Sequence, residues 1–270
     1  MKSFKYIAVD IFIIIKLNIT NENFIQMKFI YKRVLLKISG EVIQDFNTSR
    51  FENSMIYEII NDIKYLLKHG IQISIVIGGG NLFRGANLSK MGINRITADY
   101  IGMLSTVING LFLQELFHQL NVPVYVMSTI IVSSICNKYN LMYALELLSK
   151  SVVVIFCGGI GQPFFTTDSV ACIKAIETNS EIVLKGTKVN GVYSKDPYYH
   201  KNVFLYHQIN YQDVLKYEFK VMDLTAFILA RDYKIPICIF NIRRRRALKR
   251  ILLGEREGTI ICDDIKNISI

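Results

Sequence analysis

The chain has 270 residues, 51% of them hydrophobic, enough to bury a full core as one large domain or two tightly joined halves. Lys and Arg number 32 against 22 Asp and Glu, and the net charge of +10 points to anionic partners without choosing among nucleotides, nucleic acid and membranes. Five cysteines (Cys136, Cys157, Cys172, Cys238 and Cys262), odd in number and widely spaced in apolar surroundings, speak against a disulfide frame or a zinc site and read as buried, reduced thiols of a cytoplasmic protein.

Residues 1–29 stand apart from the rest. "YIAVDIFIII" has the apolarity of a signal h-region, but Asp10 interrupts it, no small-residue cleavage site follows, and it is too short to span a bilayer. Strand patterning begins at "FIYKRVLLKISGE", just after Met27, so the extension reads as a start-site artefact or a disordered tail. A chain starting at Met27 is therefore expected to equal the full chain in melting temperature and activity, and a loss of either on truncation would give residues 1–26 a structural role. Residues 30–262 read as a single domain and 263–270 as a tail.

From Tyr31 onward, short β-branched runs at 32–38, 71–77, 123–127, 152–157, 181–185 and 236–240 predict strands. Between them, 53–69 has helical spacing (Met55, Ile59, Ile63, Leu66, Leu67) and stops at Gly70. A second helix is expected over 98–120, with Met103, Leu104, Val107, Ile108 and Leu111 on its apolar positions and Thr97 as its cap. Asn190-Gly191 predicts a hairpin turn. The alternation implies an α/β fold with a mostly parallel sheet between helix layers, its two halves sharing one sheet. His69, His118, His200 and His207 lack metal-ligand spacing and read as surface or boundary residues.

Three strands end in glycine. Residues 34–38 run into Ser39-Gly40, 73–77 into Gly78-Gly79-Gly80, and 152–157 into Gly158-Gly159 and then Gly161. In α/β sheets ligands sit beyond the carboxyl ends of the strands, where N–H groups and helix starts favour anions. With Lys37 entering one turn and Arg84 leaving another, the pattern reads as a phosphate cradle rather than as turn geometry alone. No G-x-x-x-x-G-K-[ST] loop and no G-x-G-x-x-G in the first strand–turn–helix unit is present, which disfavours a P-loop kinase and a simple dinucleotide dehydrogenase.

"KRVLLKISGE" (32–41), "VIGGGNLFRG" (76–85), "GQPFFTTDSVA" (161–171), "KGTKVNGVYSKDP" (185–197) and "KVMDLTAF" (220–227) resemble, in order and spacing, the bacterial uridylate kinase family of the amino-acid kinase superfamily. The resemblance spans about residues 30–262. It implies a three-layer α/β/α sandwich, reversible transfer of the ATP γ-phosphoryl group to UMP in pyrimidine nucleotide biosynthesis, a Mg²⁺ requirement and a homohexamer. Phosphoryl transfer needs alignment and charge neutralisation more than covalent help, which suits a chain without an evident Ser-His-Asp or Cys-His group.

Carried over residue by residue, the resemblance makes Lys37 the lysine that bridges the phosphates, with Ile38, Ser39, Gly40 and Gly80 beside ATP and Gly79 beside UMP. Arg84 would add a mobile positive charge. Asp99 would accept from ribose hydroxyls, although a helix-start acid favoured by the dipole is an equal reading of that residue alone. Ile160, Gly161, Gln162, Pro163, Phe164, Phe165, Thr166 and Thr167 would enclose UMP; core packing is the other reading for the two phenylalanines. Asp168 and Asp223 are assigned to the reaction centre, where two acids beside polyphosphate would themselves call for Mg²⁺; Asp168 could also cap the following helix. Thr187, Tyr193 and Asp196 fall on the adenosine positions. No protein metal ligands are assigned, Mg²⁺ being held mainly by nucleotide phosphates.

Two departures limit the likeness. Ile160-Gly161-Gln162 replaces the family's threonine-glycine-asparagine, and "DFNTSRFENS" (45–54) replaces the glycine-rich segment linked to GTP activation. GTP control is therefore not expected, while UTP feedback through the acceptor site stays open. Two rival readings remain: an amino-acid or carbamate kinase of the same superfamily, and a nucleic-acid-binding protein using "NIRRRRALKR" (241–250). The basic run is one short segment rather than a broad face with aromatics, and reads better as a solvated helix start.

Overall fold

The computed structural model describes residues 28–44, 55–195, 199–200 and 202–263. The expectations placed on residues 1–26, on 45–54 and on Asp196 lie outside those residues. In chain order the elements are β1 (Arg33–Ile38), α1 (Glu41–Gln44), α2 (Met55–Lys68), β2 (Gln72–Ile77), α3 (Gly85–Lys90), α4 (Arg95–Gln119), β3 (Val124–Ser128), β4 (Asn137–Lys138), α5 (Leu141–Ser149) and β5 (Val153–Cys157). They continue with α6 (Thr167–Glu177), β6 (Ile182–Thr187), β7 (Gln208–Ile209), α7 (Tyr211–Lys216), α8 (Leu224–Asp232), β8 (Ile237–Asn241), α9 (Ala247–Leu252) and β9 (Thr259–Ile261).

Among the described residues one sheet runs β4-β3-β5-β2-β1-β6-β8-β9-β7, and every pairing is parallel except β8 with β9. The central strands are buried on both faces, which is why their sequences are continuous apolar runs rather than alternating ones. Alternate residues still divide between two layers. Val34, Leu36, Ile73, Ile75 and Leu184 pack against α2, α4 and α9. Leu35, Val76, Val154, Phe156 and Val183 pack against α5, α6, α7 and α8. The result is the three-layer α/β/α sandwich that the sequence implied.

Helix α2 buries Ile56, Ile59, Ile60, Ile63, Leu66 and Leu67 on one face. Its end is a Schellman motif: Gly70 has φ +80°, its N–H donates to the Leu67 carbonyl, and the Ile71 N–H donates to that of Leu66. Helix α4 packs Val107, Leu113, Leu116 and Phe117 into the core. It is long and apolar enough to cross a membrane by composition, but this inner face makes it a core helix. Its outer face carries Ile96, Tyr100, Leu104 and Ile108, all exposed and four residues apart.

Several expectations are corrected. Helix α4 begins at Arg95, because the Asn94 side chain accepts from the Ile96 N–H; Thr97 lies inside the helix and does not cap it. Asn190-Gly191 makes no hairpin. The Asn190 side chain instead accepts from Asn241 Nδ2 at 3.0 Å, which ties the segment after β6 to β8, and an isolated antiparallel bridge between Tyr193 and Leu205 follows in place of a strand pair. Four cysteines are buried as expected, but Cys136 is only half-buried. The basic run at 243–250 is not simply solvated: Arg244 and Arg250 both donate to Glu257, whose carboxylate is wholly buried.

Candidate active site

Strands β1 and β6 are neighbours, and their register sets Lys37 directly beside Lys185 on the face that packs against α6. Both lysines are buried, at 9% and 8% exposure. Asp168, in the first turn of α6, lies between them: Lys37 Nζ is 2.8 Å from one carboxylate oxygen and Lys185 Nζ 2.5 Å from the other. Lys185 also donates to the Val221 carbonyl. Burial alone would push the Asp168 carboxyl up, but the charges and hydrogen bonds of the two ammonium groups outweigh it and hold the carboxyl below its ordinary range. Lys185 is shifted down, first by burial and then by the charge of Lys37, with Asp168 opposing. One carboxylate thus serves two buried ammonium groups, and the three carry a net positive charge.

The glycine turns surround this centre, and their close approaches are first of all internal. A Cβ on Gly40 would come within 2.1 Å of Asn81 Oδ1 and 2.6 Å of the Gly78 carbonyl. Asn109, buried in α4, donates to the Gly78 carbonyl at 2.7 Å and to Asn81 Oδ1 at 2.6 Å, so the β1 and β2 turns are knotted to the middle of that helix. A Cβ on Gly79 would meet the Gly102 carbonyl at 2.7 Å. Gly40→Ala is expected to lower stability by about 1–3 kcal/mol through overpacking, measured by denaturant unfolding. An unchanged midpoint would show that the knot yields freely. Ser39 turns the chain into α1, its hydroxyl facing the Glu41 N–H at 3.4 Å, while Ile38 is core.

A cleft of about 750 Å³ opens beside the centre. Its lining includes Gly79, Gly80 and Arg84 from the β2 turn, Asp99 from α4, Gln162, Phe165, Thr166, Thr167 and Asp168 from the loop and start of α6, and Lys185 from β6. The Arg84 guanidinium hydrogen-bonds Glu41, which also pairs with Lys188 at 2.6 Å. The Lys188 hydrogen bond, with the charges of Lys188, Arg84 and Arg243, holds Glu41 below its usual range against a smaller opposing effect of burial. Asp99 receives Arg95 Nε at 2.8 Å and the Phe164 N–H at 2.8 Å, so it fastens the 160–167 loop to α4. Gly85 leaves room for this contact, since a Cβ there would lie 2.6 Å from Asp99 Oδ1.

Within the loop the residues divide. Gly161 (φ +83°) and Phe164 (φ +74°) make the turns, Ile160 packs against the core and Pro163 lies half-buried; of the loop, Gln162, Phe165, Thr166 and Thr167 reach the cleft. Core packing does not hold for the phenylalanines: both are exposed, and the Arg95 guanidinium lies 5.6 Å from the Phe164 ring centroid. Thr166 caps α6 by accepting from the Asp168 N–H at 3.1 Å, so Asp168 is not the cap and its carboxylate is left to the lysines. Asp223 caps α8 through the Ala226 N–H and receives Ser169 Oγ at 2.7 Å and the Thr166 hydroxyl. It is not among the residues lining the cleft; its contacts tie the start of α6 to that of α8.

A second cavity of about 420 Å³ is lined by Val189, Tyr193, Lys195, Tyr217, Phe219 and Lys220. Tyr193 is thereby placed with two further aromatic rings. The Thr187 hydroxyl is engaged in the turn after β6, donating to the Val189 carbonyl at 2.8 Å. Lys220 lines both this cavity and the larger cleft. Sequence reasoning passed over Lys185, Lys220, Arg95 and Glu41. Lys185 and Lys220 each open a motif quoted from the sequence, and Arg95 stands one helical turn before Asp99, but nothing local separates them from surface charges.

A family model described as the amino acid kinase family matches residues 32–241. Over 234 residues the chain is 52% identical to the uridylate kinase of Buchnera aphidicola subsp. Schizaphis graminum, covering 87% of this chain and 98% of that one. It is 48% identical to the uridylate kinase of Pasteurella multocida, with 87% and 97% covered. Among solved structures it is similar to UMP kinase from Bacillus anthracis, with a TM-score of 0.81 at 42% identity over 87% of this chain and 97% of the other. UMP kinase from Ureaplasma parvum is similar with a TM-score of 0.77 at 34% identity, covering 86% and 99%.

Proposed function

The chain belongs to the amino acid kinase family, in its uridylate kinase branch, and from that premise we propose that it transfers the γ-phosphoryl group of ATP to UMP, giving UDP and ADP. The observation that carries the proposal is the pair of cavities sharing Lys220, with Asp168 and Lys185 on the wall of the larger one and Lys37 paired to Asp168 behind them. Two nucleotides seated there would bring their phosphates together against surplus positive charge, and phosphoryl transfer depends on that alignment and neutralisation.

In this reading UMP occupies the larger cleft. Asp99 accepts from its ribose hydroxyls, and Gln162 and Thr167, with loop backbone groups, meet the uracil edge. ATP occupies the second cavity, its adenine against Tyr193 and its phosphates near Lys37, Lys220 and Gly80. Arg84 exchanges Glu41 for phosphate. A UMP phosphate oxygen is ionised near neutral pH, so no general base is required. Asp168 orients the two lysines, and Asp223 holds the start of the helix that carries Asp168.

Among the described residues no three His, Cys, Asp or Glu side chains gather to hold a metal ion. The oxygens of Asp168 and Asp223 are already engaged by ammonium, hydroxyl and N–H groups. Mg²⁺ would therefore be carried by the nucleotide phosphates, screening their charge, rather than by a protein cage. The acids do not by themselves call for the ion, because lysines compensate Asp168. The exposed row on α4 supports assembly with further copies, and a homohexamer in the cytoplasm fits the reading. UTP feedback through the acceptor cleft fits it as well, and GTP activation does not enter. Residues 30–262 then act as one domain.

A coupled ADP-release assay with UMP, CMP, dTMP, glutamate and carbamate as acceptors tests the proposal. UMP should be strongly preferred, because donors fixed at uracil O4 face cytosine's amino group unpaired. Turnover with glutamate or carbamate instead would move the chain to another activity of the family, and salt-sensitive RNA or DNA retention without turnover would favour the basic-segment reading.

A further inference from the structure

We infer that Lys185 is a positioning residue of the transfer centre: its ammonium holds the Asp168 carboxylate and the Val221 carbonyl together, fixing the Lys37–Asp168 pair against the 217–223 turn that brings Lys220 to the junction of the two cavities. What the centre does rests on the UMP kinase reading; the geometry of Lys185 does not.

Position 185 would be apolar if packing alone decided it. It follows Val183 on the same face of β6, a strand buried from Ile182 to Gly186, and strands covered on both faces fill such positions with aliphatic side chains. Burying an ammonium is unfavourable unless it is paired, and the nearest carboxylate already has Lys37 at 2.8 Å. A second lysine on that carboxylate adds charge beyond what one carboxylate balances. Its hydrogen bonds give it a use. Of its three N–H donors, one reaches Asp168 and one the Val221 carbonyl.

Val221 sits between Lys220, which borders both cavities, and the segment leading to Asp223, the cap of α8. Asp223 in turn binds Ser169, next to Asp168. Lys185 therefore closes a loop of contacts running Asp168, Lys185, Val221, Asp223, Ser169 and back along α6. Without it, the turn carrying Lys220 and the carboxylate facing Lys37 are no longer held by a common group, although each remains in the chain.

The test compares Lys185→Met and Lys185→Arg with the wild type in thermal melts, in kcat and KM for ATP and for UMP, and in the crystal structure of the Met variant. Lys185→Met is expected to fold, to lower kcat by about a hundredfold and to change either KM by less than about threefold. Lys185→Arg, which keeps the charge and two donors, should recover about tenfold of that loss. In the Met variant the 217–223 turn should shift relative to Asp168. A folded Met variant with kcat within about threefold of the wild type would overturn the inference, as would an arginine variant no better than methionine. Lost turnover with the turn and the Lys37–Asp168 pair unmoved would also overturn it, since Lys185 would then act on substrate and not by positioning. If methionine prevents folding, Lys185→Gln, which keeps a donor, replaces it under the same criteria. A wild type that releases no ADP with UMP would overturn the function reading, while the variant's structure would still decide the role of Lys185.

Discussion

Replacing Lys37 with alanine should lower turnover by roughly 10²–10³-fold while leaving the protein folded. Lys37 is one of two cations on Asp168, so its removal leaves the Lys185–Asp168 pair intact at 2.5 Å and creates no unpaired buried carboxylate. The lost charge is the one the phosphates would meet at the end of β1, where β1 turns into Ser39 and Gly40. Asp168→Asn should behave differently. It leaves two buried ammonium groups facing a neutral amide, so stability as well as turnover should fall. The sign of the pH dependence follows from the same geometry. Asp168 is held below its ordinary 3.8, so its pairing contributes stability above about pH 4 that is lost as the pH falls through the lower native value. Melting temperatures across that range should show a larger acid-side loss in the wild type than in the asparagine variant, which keeps only the contributions of other paired carboxylates such as Glu41. A folded Lys37→Ala protein with near-normal turnover would remove Lys37 from the transfer centre.

Asp99→Ala should weaken UMP binding about ten- to a hundredfold, or roughly 1.5–3 kcal/mol, and ATP binding much less. Asp99 borders the larger cleft and not the second cavity. Its loss would remove the proposed ribose acceptor and also free the Phe164 N–H and the Arg95 guanidinium, loosening the loop over the acceptor. Both effects fall on the same nucleotide. Isotherms for UMP and for an unreactive ATP analogue decide the point: equal losses for the two would mean that Asp99 only shapes the helix start, and that the acceptor lies elsewhere.

The six central strands and the two long helices were legible because burial on both faces, or on one face at helical spacing, writes a strong pattern into the chain. Strands β4, β7 and β9 were not, since elements of two or three residues are too short to show a period. The glycine turns were found by composition, but part of their cause was not legible. What lies closest to Gly40 is Asn81 and Asn109, brought there by a helix well downstream. Lys185 shows the limit most clearly. In the sequence it is the polar end of a strand, and only the pairing of β1 with β6 turns it into the neighbour of Lys37.

Helix α4 spans 25 residues, about 37 Å of unbroken rod. One turn in from its start, Asp99 borders the larger cleft, its middle is bolted to the glycine turns by Asn109, and its outer face carries the row from Ile96 to Ile108. A rod pinned at its middle is a lever with a fulcrum. Any tilt that nucleotide binding imposes at Asp99 turns the rod about that pin, and the outer row rides on the same arm. Where the outer row meets a second copy of the chain, filling one cleft becomes a torque on its neighbour, so the clefts of an assembled particle would not fill independently of one another.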